Sequence, residues 1–402
     1  MIKREAEETV RRLASQFPVI GITGPRQSGK TTLAKMVFPD KPYVTFDDKD
    51  TREIATSAPK DFLLAFPNGA IFDEAQKVPE IFEALKQRVD EESYKPGKYI
   101  LTGSSQFRLK NNMTDSLAGR ATFLNLLPFS IGELKNAGLL TDNPYETAYK
   151  GLYPPLYDEK KHFLPNDWFE GYIGTYIDID VKDQINTINI SSFKKLIQLC
   201  ATMSGQTLSM SSLSNGLGIS IPTVKSWLSI LEASSIIHLL EPETNNMGKA
   251  LVKTPKLYFI DSGLLCHLLR LESKEELILS KSKGAVIETL AVSELLKSRL
   301  NQGKSPNLTF YRDRNGLEVD IIADWKQDFA IEVKSDSGFE KRHASGVRKY
   351  LAQKQDVTKG AVFYLGDTEY NVDGISYVPW KKWPDFCTKD SNKQERTPDF
   401  EG

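Results

Sequence analysis

The chain has 402 residues, of which 40% are hydrophobic and 26% are charged, and its formal net charge is −1. This length predicts two or three domains with sizeable cores, and the composition is that of an ordinary soluble globular protein. Because acidic and basic residues balance, a global basic field is excluded, and any contact with nucleic acid must be local.

The first residues predict neither a signal peptide nor a membrane anchor. Met1-Ile-Lys-Arg-Glu leads into a charged helix over residues 3–16, and no run approaches about 18 apolar residues. Cys200, Cys266 and Cys387 lie far apart without C-x-x-C spacing, which argues against a disulfide framework or a zinc site. We therefore expect a cytoplasmic protein without membrane contact.

A glycine-rich stretch between the apolar run 19–22 and an amphipathic segment from Leu33 matches the phosphate-loop pattern G-x-x-x-x-G-K-S/T. It consists of Gly24, Pro25, Arg26, Gln27, Ser28, Gly29, Lys30, Thr31 and Thr32. Glycines let backbone N–H groups surround a triphosphate, Lys30 reaches the β- and γ-phosphates, and the Thr31 hydroxyl ligates Mg²⁺. A short pattern can match by chance, but the strand before and the helix after it favour ATP binding with Mg²⁺.

An acidic pair, Asp73 and Glu74, ends the apolar strand that begins at Gly69. Asp73 would hold Mg²⁺ through water, and Glu74 would polarise the attacking water, which favours hydrolysis over simple nucleotide holding. In isolation the pair could be a solvated strand end. Its position about forty residues after the phosphate loop favours the catalytic interpretation.

Further candidates for contact with the γ-phosphate are two serines and two arginines. Ser104 and Ser105 follow the strand 98–102 and would form a sensor, although they could equally form a turn. Arg120 and Arg26 could reach the γ-phosphate in cis or from a neighbouring subunit of a homo-oligomer, whereas a surface position is the commoner explanation.

The alternation of strands and helices predicts an α/β fold with a parallel sheet, helices on both faces, and ligand at the carboxyl ends of the strands. We also expect one strand to separate the acidic strand from the strand that precedes the phosphate loop.

After the ATPase module the pattern becomes helical. Residues 151–190 predict a connector with an aromatic-rich helix, and residues 191–270 have the spacing of a helix-turn-helix core followed by two strands that could pair as a wing. A third helix that begins at Ile221 would offer Thr223 and Lys225 to a groove. Its low charge makes a winged helix that packs against protein as plausible as one that reads DNA.

Motifs spread over residues 1 to about 350 resemble, in content and order, those of AAA+-superfamily ATPases that carry a DUF4143 domain. They are Gly24–Leu33, Phe72–Gln76, Leu101–Ser105, Leu117–Arg120, Pro128–Ser130, Gly174–Ile177, Ile219–Trp227 and Pro255–Leu264. The resemblance implies an ATPase domain, a winged helix and a nuclease-like C-terminal domain in one chain. Family members often have arginine where Ile179 stands, which leaves Arg120 as the better arginine-finger candidate.

The C-terminal part contains Asp320 followed by Glu332-Val-Lys334, a pattern that resembles the PD-(D/E)xK nucleases. In a strand, Glu332 and Lys334 lie on the same face. Asp320 and Glu332, with Glu288 from a helix, could hold Mg²⁺, and Lys334 would orient or deprotonate a water for phosphodiester hydrolysis. The alternative is a half-exposed strand without chemistry.

These features predict an ATP-hydrolysing protein whose nucleotide state passes through the winged helix to a restriction-endonuclease-like α/β domain that binds or cleaves DNA or RNA. The first alternative is an ATP-gated regulatory or interaction protein whose nuclease fold is catalytically inactive. A small-molecule kinase is disfavoured, because no acceptor pocket pattern follows. The predicted parts are an ATPase domain (1–150), a connector (151–190), a winged helix (191–270), a nuclease-like domain (271–382) and a disordered tail (383–402).

Overall fold

The computed structural model describes residues 2–92, 94–103, 116–177, 181, 190–243, 254–354 and 358–388. The predicted sensor residues Ser104 and Ser105, the position of Ile179 and the loop of the predicted wing lie outside these residues.

Helices and strands alternate in the first third of the described chain, and a second group of strands follows the central helices. The helices are α1 (Glu7–Ala14), α2 (Lys30–Val37), α3 (Lys49–Ser57), α4 (Pro59–Leu64), α5 (Glu80–Glu91), α6 (Ile131–Asn136), α7 (Pro144–Lys150), α8 (Pro165–Tyr176), α9 (Ile190–Thr202), α10 (Met210–Leu217), α11 (Ile221–Ala233), α12 (Ser262–Leu268), α13 (Lys274–Leu279), α14 (Lys283–Asn301), α15 (Ser345–Leu351) and α16 (Trp383–Thr388). Among these described helices, none is long and apolar enough to cross a membrane.

The strands are β1 (Val19–Thr23), β2 (Tyr43–Thr45), β3 (Ile71–Asp73), β4 (Tyr99–Thr102), β5 (Ala121–Asn125), β6 (Ile237–Leu240), β7 (Lys256–Phe259), β8 (Leu308–Arg312), β9 (Glu318–Ala323), β10 (Phe329–Val333), β11 (Lys359–Tyr364), β12 (Tyr370–Val372) and β13 (Ile375–Pro379).

The first sheet is parallel, with strand order β2-β3-β4-β1-β5. Its strands are short apolar runs because helices cover both faces: α3, α4 and α5 contribute to one hydrophobic cluster, and α1 and α2 contribute to a second. Strand β4 lies between β3, which ends in Asp73, and β1, which leads into the phosphate loop. The predicted α/β fold with a parallel sheet and an intervening strand is therefore confirmed.

The middle of the chain consists of helices and one antiparallel strand pair. In the connector, the rings of Tyr153, Trp168, Phe169 and Tyr172 pack together at centroid distances of 4.9–6.0 Å. Helices α9, α10 and α11 follow, and β6 then pairs antiparallel with β7. Ser220 caps the start of α11, where its hydroxyl accepts a hydrogen bond from the Thr223 N–H at 3.3 Å.

The second sheet has the order β12-β13-β11-β10-β9-β8, in which β10 pairs parallel with β11 and antiparallel with β9. Helix α14 is buried on nearly all sides and contacts β5 of the first sheet, β7 of the middle part and β10 of the second sheet. One hydrophobic cluster extends from Leu127 through the connector and the middle helices to Trp383. The middle and C-terminal parts therefore share one core.

The predicted tail is wrong at its beginning, because Trp383–Thr388 forms helix α16. The Trp383 indole N–H donates to the Val378 carbonyl at 3.1 Å, and its ring stacks on Phe363 at 5.2 Å. The ring of Phe386 packs against Phe329 at 4.7 Å. Trp383 and Phe386 thus attach this helix to the rest of the domain by aromatic packing, although the average polarity of the segment predicts disorder.

Candidate functional site

The phosphate loop runs from the end of β1 to the start of α2 in a conformation that requires its glycines. Gly24 has φ 142°, and a Cβ there would lie 2.1 Å from the Leu126 carbonyl oxygen. Gly29 has φ 95° and lies at the N-cap of α2. Other residues rarely adopt such φ values, so the loop can bring its backbone N–H groups close to a ligand only with glycine at these positions.

The Lys30 side chain is buried inside the loop that it follows. Its ammonium group donates to the carbonyl oxygens of Gly24 at 3.0 Å and Pro25 at 2.7 Å. The loop therefore holds a positive charge at its centre, where the phosphates of a nucleotide would enter.

Asp73, at the end of β3, accepts hydrogen bonds from three hydroxyl groups. They belong to Thr31 at 3.0 Å, Tyr43 at 2.8 Å and Thr102. Mg²⁺ usually takes one or two protein oxygens together with substrate phosphates and waters, and Thr31 with Asp73 fits that requirement. Sequence reasoning missed Tyr43 and Thr102, although a threonine at the end of a buried strand beside the acidic strand was a usable signal.

Glu74 lies next to this carboxylate in a left-handed backbone conformation with φ 54°. Such a conformation is uncommon for a residue other than glycine, and it is frequent at functional sites. The Gln76 side-chain amide donates to Glu74 at 2.5 Å. Burial raises the pKa of Glu74, whereas the charges of Lys30 and Arg26 act in the opposite direction.

Lys30, Thr31 and Glu74 line one cavity of about 830 Å³ between the first sheet and the connector. The ATPase side contributes Arg26, Lys30, Thr31 and Glu74, and the connector contributes Pro154, Phe163, Trp168 and Tyr172. The connector side also includes Asp158, Lys161 and Asp167, so the cavity combines a charged phosphate end with a wall that is partly aromatic and partly charged. The sequence predicts an aromatic-rich helix in the connector, and the structure places Trp168 and Tyr172 of that helix at this cavity.

Arg120 lies away from this cavity, so its predicted contact with γ-phosphate in cis is wrong. It forms a two-pronged ion pair with Asp90, at 2.5 and 2.9 Å. Arg120 precedes Ala121, which pairs with Val19 at the start of β1, whereas the phosphate loop follows the end of β1. A strand of this length separates the two ends of the sheet by about 16 Å. A contact from a neighbouring subunit stays a prediction.

A buried charge pair that sequence reasoning missed supports the phosphate loop from behind. The Arg4 guanidinium donates to the carbonyl oxygens of Ser28 at 2.7 Å and Leu127 at 2.8 Å, and its Nε lies 2.9 Å from Glu133. Both charged side chains are almost fully buried. In the sequence Arg4 stands only as one charge among several near the start of the chain, because its partner is more than a hundred residues away.

The same region is tied to helix α14. Glu294 accepts a hydrogen bond from the Ile131 N–H at 2.8 Å, and the Lys297 ammonium group lies 3.0 Å from the other oxygen of Glu294. Ile131 and Glu133 belong to the same helix, α6. Buried polar contacts therefore connect the phosphate loop, α6 and the central helix of the C-terminal part.

The second predicted site is assembled from α14 and two strands. Glu288, Asp320 and Glu332 lie close enough to influence one another: burial raises the pKa of Glu288 to about 7 and that of Glu332 to about 8, and the charge of Asp320 adds to both shifts. Asp320 accepts a hydrogen bond from the Val333 N–H at 2.9 Å, and Lys334 lies 2.6 Å from Glu332. The predicted residues therefore do come together.

A lysine that sequence reasoning missed also lies in this cluster. The Lys256 ammonium group, from β7, is 2.6 Å from Glu318, 3.3 Å from Glu288 and 3.8 Å from Asp320. Among the described residues, no group of three or more acidic, histidine or cysteine side chains is arranged to hold a metal ion. The predicted Mg²⁺ site of Glu288, Asp320 and Glu332 does not fit this arrangement, because the Lys256 ammonium group already lies beside Glu288 and Asp320, and Lys334 beside Glu332.

Family comparisons divide the chain into three parts. An AAA domain matches residues 16–135, a domain of unknown function, DUF8612, matches residues 141–275, and a second one, DUF4143, matches residues 283–383. The chain therefore carries an AAA-type P-loop ATPase domain and a DUF4143 domain, as its motifs predicted.

Uncharacterized proteins of Mycobacterium bovis and Mycobacterium tuberculosis are each 27% identical to this chain over 381 residues, which cover 94% of this chain and 83% of each relative. Among solved structures, a Walker-type ATPase of Pyrococcus abyssi is 16% identical and matches with a TM-score of 0.44, covering 67% of this chain and 96% of the other. The similarity to the mycobacterial proteins thus extends over all parts of the chain.

Proposed function

We propose that this protein hydrolyses ATP at the phosphate loop and transmits its nucleotide state to the C-terminal domain. The observation that carries the first half is the convergence of Lys30, Thr31 and Glu74 on one cavity, with Asp73 hydrogen-bonded to Thr31. Phosphoryl transfer depends mainly on positioning and on stabilising charge, and these residue types supply both.

Each side chain has a distinct role in this proposal. Lys30 would exchange the carbonyl oxygens of its own loop for the β- and γ-phosphates. Thr31 and Asp73 would hold Mg²⁺, which neutralises phosphate charge when it is bound. Glu74 would accept the proton of the attacking water, and Arg26, which faces the same cavity, would contact the γ-phosphate.

Steady-state phosphate release from ATP tests this half. We expect Glu74→Gln to lower the rate by about 100-fold or more while ATP still binds, because only the proton acceptor is lost. Lys30→Ala should lose both binding and hydrolysis. Asp47→Asn is the matched control, since Asp47 follows the neighbouring strand β2 but is exposed and paired with Lys77. Equal rates in all four proteins would refute hydrolysis at this site.

Transmission to the C-terminal domain is supported by the buried contacts behind the phosphate loop. Arg4 holds the Ser28 carbonyl and Glu133, and Glu294 of α14 holds the backbone of the same helix α6. A shift of the loop upon nucleotide binding would alter packed, hydrogen-bonded groups that lead directly to α14.

For the other two parts we propose the folds that the sequence suggested. Helices α9 to α11 with the β6–β7 pair have the order of a winged helix, and α14 with β8 to β11 has the order of a nuclease-type core. The exposed side of α11 offers Lys225, so it has little charge for DNA, and packing against protein stays an equal alternative.

The C-terminal domain has two candidate outputs: cleavage of DNA or RNA, and an ATP-gated interaction without cleavage. The position of Lys256 among the carboxylates favours the second. We expect no cleavage of labelled duplex DNA, single-stranded DNA or RNA with Mg²⁺ or Mn²⁺. Metal-dependent cleavage that Asp320→Ala abolishes would establish a nuclease instead.

A further inference from the structure

Lys256 is an unusual residue for its position, because a strand residue with 2% side-chain exposure is seldom charged. Its ammonium group is surrounded by Glu288 of α14 and by Glu318 and Asp320 of β9, and it lies 5.4 Å from the centre of the Phe310 ring. Buried charges persist where they are paired, and this one has three carboxylate partners from two elements outside its own strand pair.

The neighbouring contacts hold the carboxylates in place around this lysine. The Tyr258 hydroxyl, two residues further along β7, donates to the same Glu288 oxygen at 2.5 Å. The second oxygen of Asp320 accepts the Val333 N–H. A divalent ion would require carboxylate oxygens at about 2.0–2.6 Å from one point and would repel an ammonium group beside it.

We propose that Lys256 is the resident cation of this acidic cluster. Its ammonium group takes the place that a divalent metal would take between Glu288, Glu318 and Asp320, and it thereby fixes the β6–β7 pair of the middle part against α14 and β9. This inference deepens the proposed interaction role of the C-terminal domain and rests on it, but its test measures metal binding rather than cleavage or ATP hydrolysis.

The first experiment counts Mn²⁺ ions bound to the nucleotide-free, full-length protein by electron paramagnetic resonance. The native protein and Asp320→Asn should bind the same number of ions, because the cluster holds none. A site that is present in the native protein and missing in Asp320→Asn overturns the inference. If the protein cleaves no nucleic acid, the proposed interaction role would still hold even though the inference about Lys256 had failed.

The second experiment removes the lysine. Lys256→Met should gain at least a tenfold tighter Mn²⁺ site than the native protein has, and millimolar Mn²⁺ should raise its melting temperature. Lys354→Met is the control, because Lys354 is also largely buried but pairs with the single carboxylate of Glu243 at 2.7 Å.

Mn²⁺ should not raise the melting temperature of Lys354→Met. A folded Lys256→Met protein without the new ion site refutes the proposed place of the ammonium group. If this variant does not fold, the comparison of native protein with Asp320→Asn decides.

Discussion

The two acidic sites of this molecule use the same residue types in opposite ways. At the phosphate loop, Lys30 donates to backbone carbonyl oxygens and Asp73 accepts from hydroxyl groups, and Lys30 lines an open cavity together with Thr31 and Glu74. In the C-terminal cluster, the Lys256 ammonium group lies within 3.8 Å of the carboxylates of Glu288, Glu318 and Asp320. A lysine that donates to neutral carbonyl oxygens can exchange them for the phosphates of a ligand. A lysine that pairs with carboxylates already has its counter-charges.

The largest expected effect compares the two lysines. Lys256→Met should lower the free energy of unfolding by about 3 kcal/mol, because it removes a buried charge and leaves three partly buried carboxylates without their counter-charge. Lys30→Met should cost less, about 1–2 kcal/mol, because its hydrogen bonds with Gly24 and Pro25 go to neutral carbonyl oxygens, although its charge also favours the ionised form of Glu74. Urea unfolding without nucleotide or metal measures both. Equal losses in the two variants would remove the distinction drawn between the sites.

A second prediction uses the raised pKa of Glu332, about 8 against an ordinary value of 4.5. Between these values the folded state binds more protons than the unfolded state, so this carboxyl group makes stability fall as the pH rises from about 5 to 8. Glu332→Gln should remove that fall and be more stable than the native protein at pH 8.5, by on the order of 2 kcal/mol. At about pH 4 the two proteins should be equally stable.

Thermal unfolding over this pH range supplies the measurement for Glu332. Glu340→Gln serves as the control, because Glu340 is exposed and the nearby Arg342 lowers its pKa. An unchanged slope in Glu332→Gln would mean that the cluster keeps this carboxylate ionised at neutral pH.

The smallest expected effect concerns transmission from the phosphate loop. Hydrogen exchange of α14 should slow on ATP binding in the native protein, by about tenfold or less. Arg4→Lys keeps the charge but cannot contact Ser28, Leu127 and Glu133 at once, so the response of α14 should weaken. Arg11→Lys is the control, because Arg11 is an exposed arginine on the neighbouring helix α1 that donates to the Val37 carbonyl of α2. A full response in Arg4→Lys would exclude this route.

Local patterns predicted most of the first domain. The phosphate loop, the acidic strand and the intervening strand follow from contiguous spacing and strand order, and the structure confirms that strand order. Arg120 could have been excluded in cis on the same grounds, since it precedes its strand while ligands lie at the carboxyl ends of parallel strands. That signal was present in the sequence and was overlooked.

The remaining site residues depend on contacts that no local pattern reports. Arg4 meets Glu133 across 129 positions, and Lys256 meets Glu318 only when β7 packs beside β9. Periodicity shows whether a strand residue points inward or outward, but it does not show which charged residue from a distant part of the chain will lie next to it. The nuclease-like spacing of Asp320 and Glu332 therefore predicted which residues converge, while Lys256, which alters their chemistry, came from another part of the chain.

Helix α16 has a practical consequence for anyone who divides this chain into fragments. Trp383 covers the ring of Phe363, and the helix lies along α14, which contacts both sheets. A fragment that stops at Lys382, just before this helix, would expose the ring of Phe363 to water. We expect such a fragment to aggregate more readily. The shortest C-terminal fragment worth expressing therefore includes Thr388.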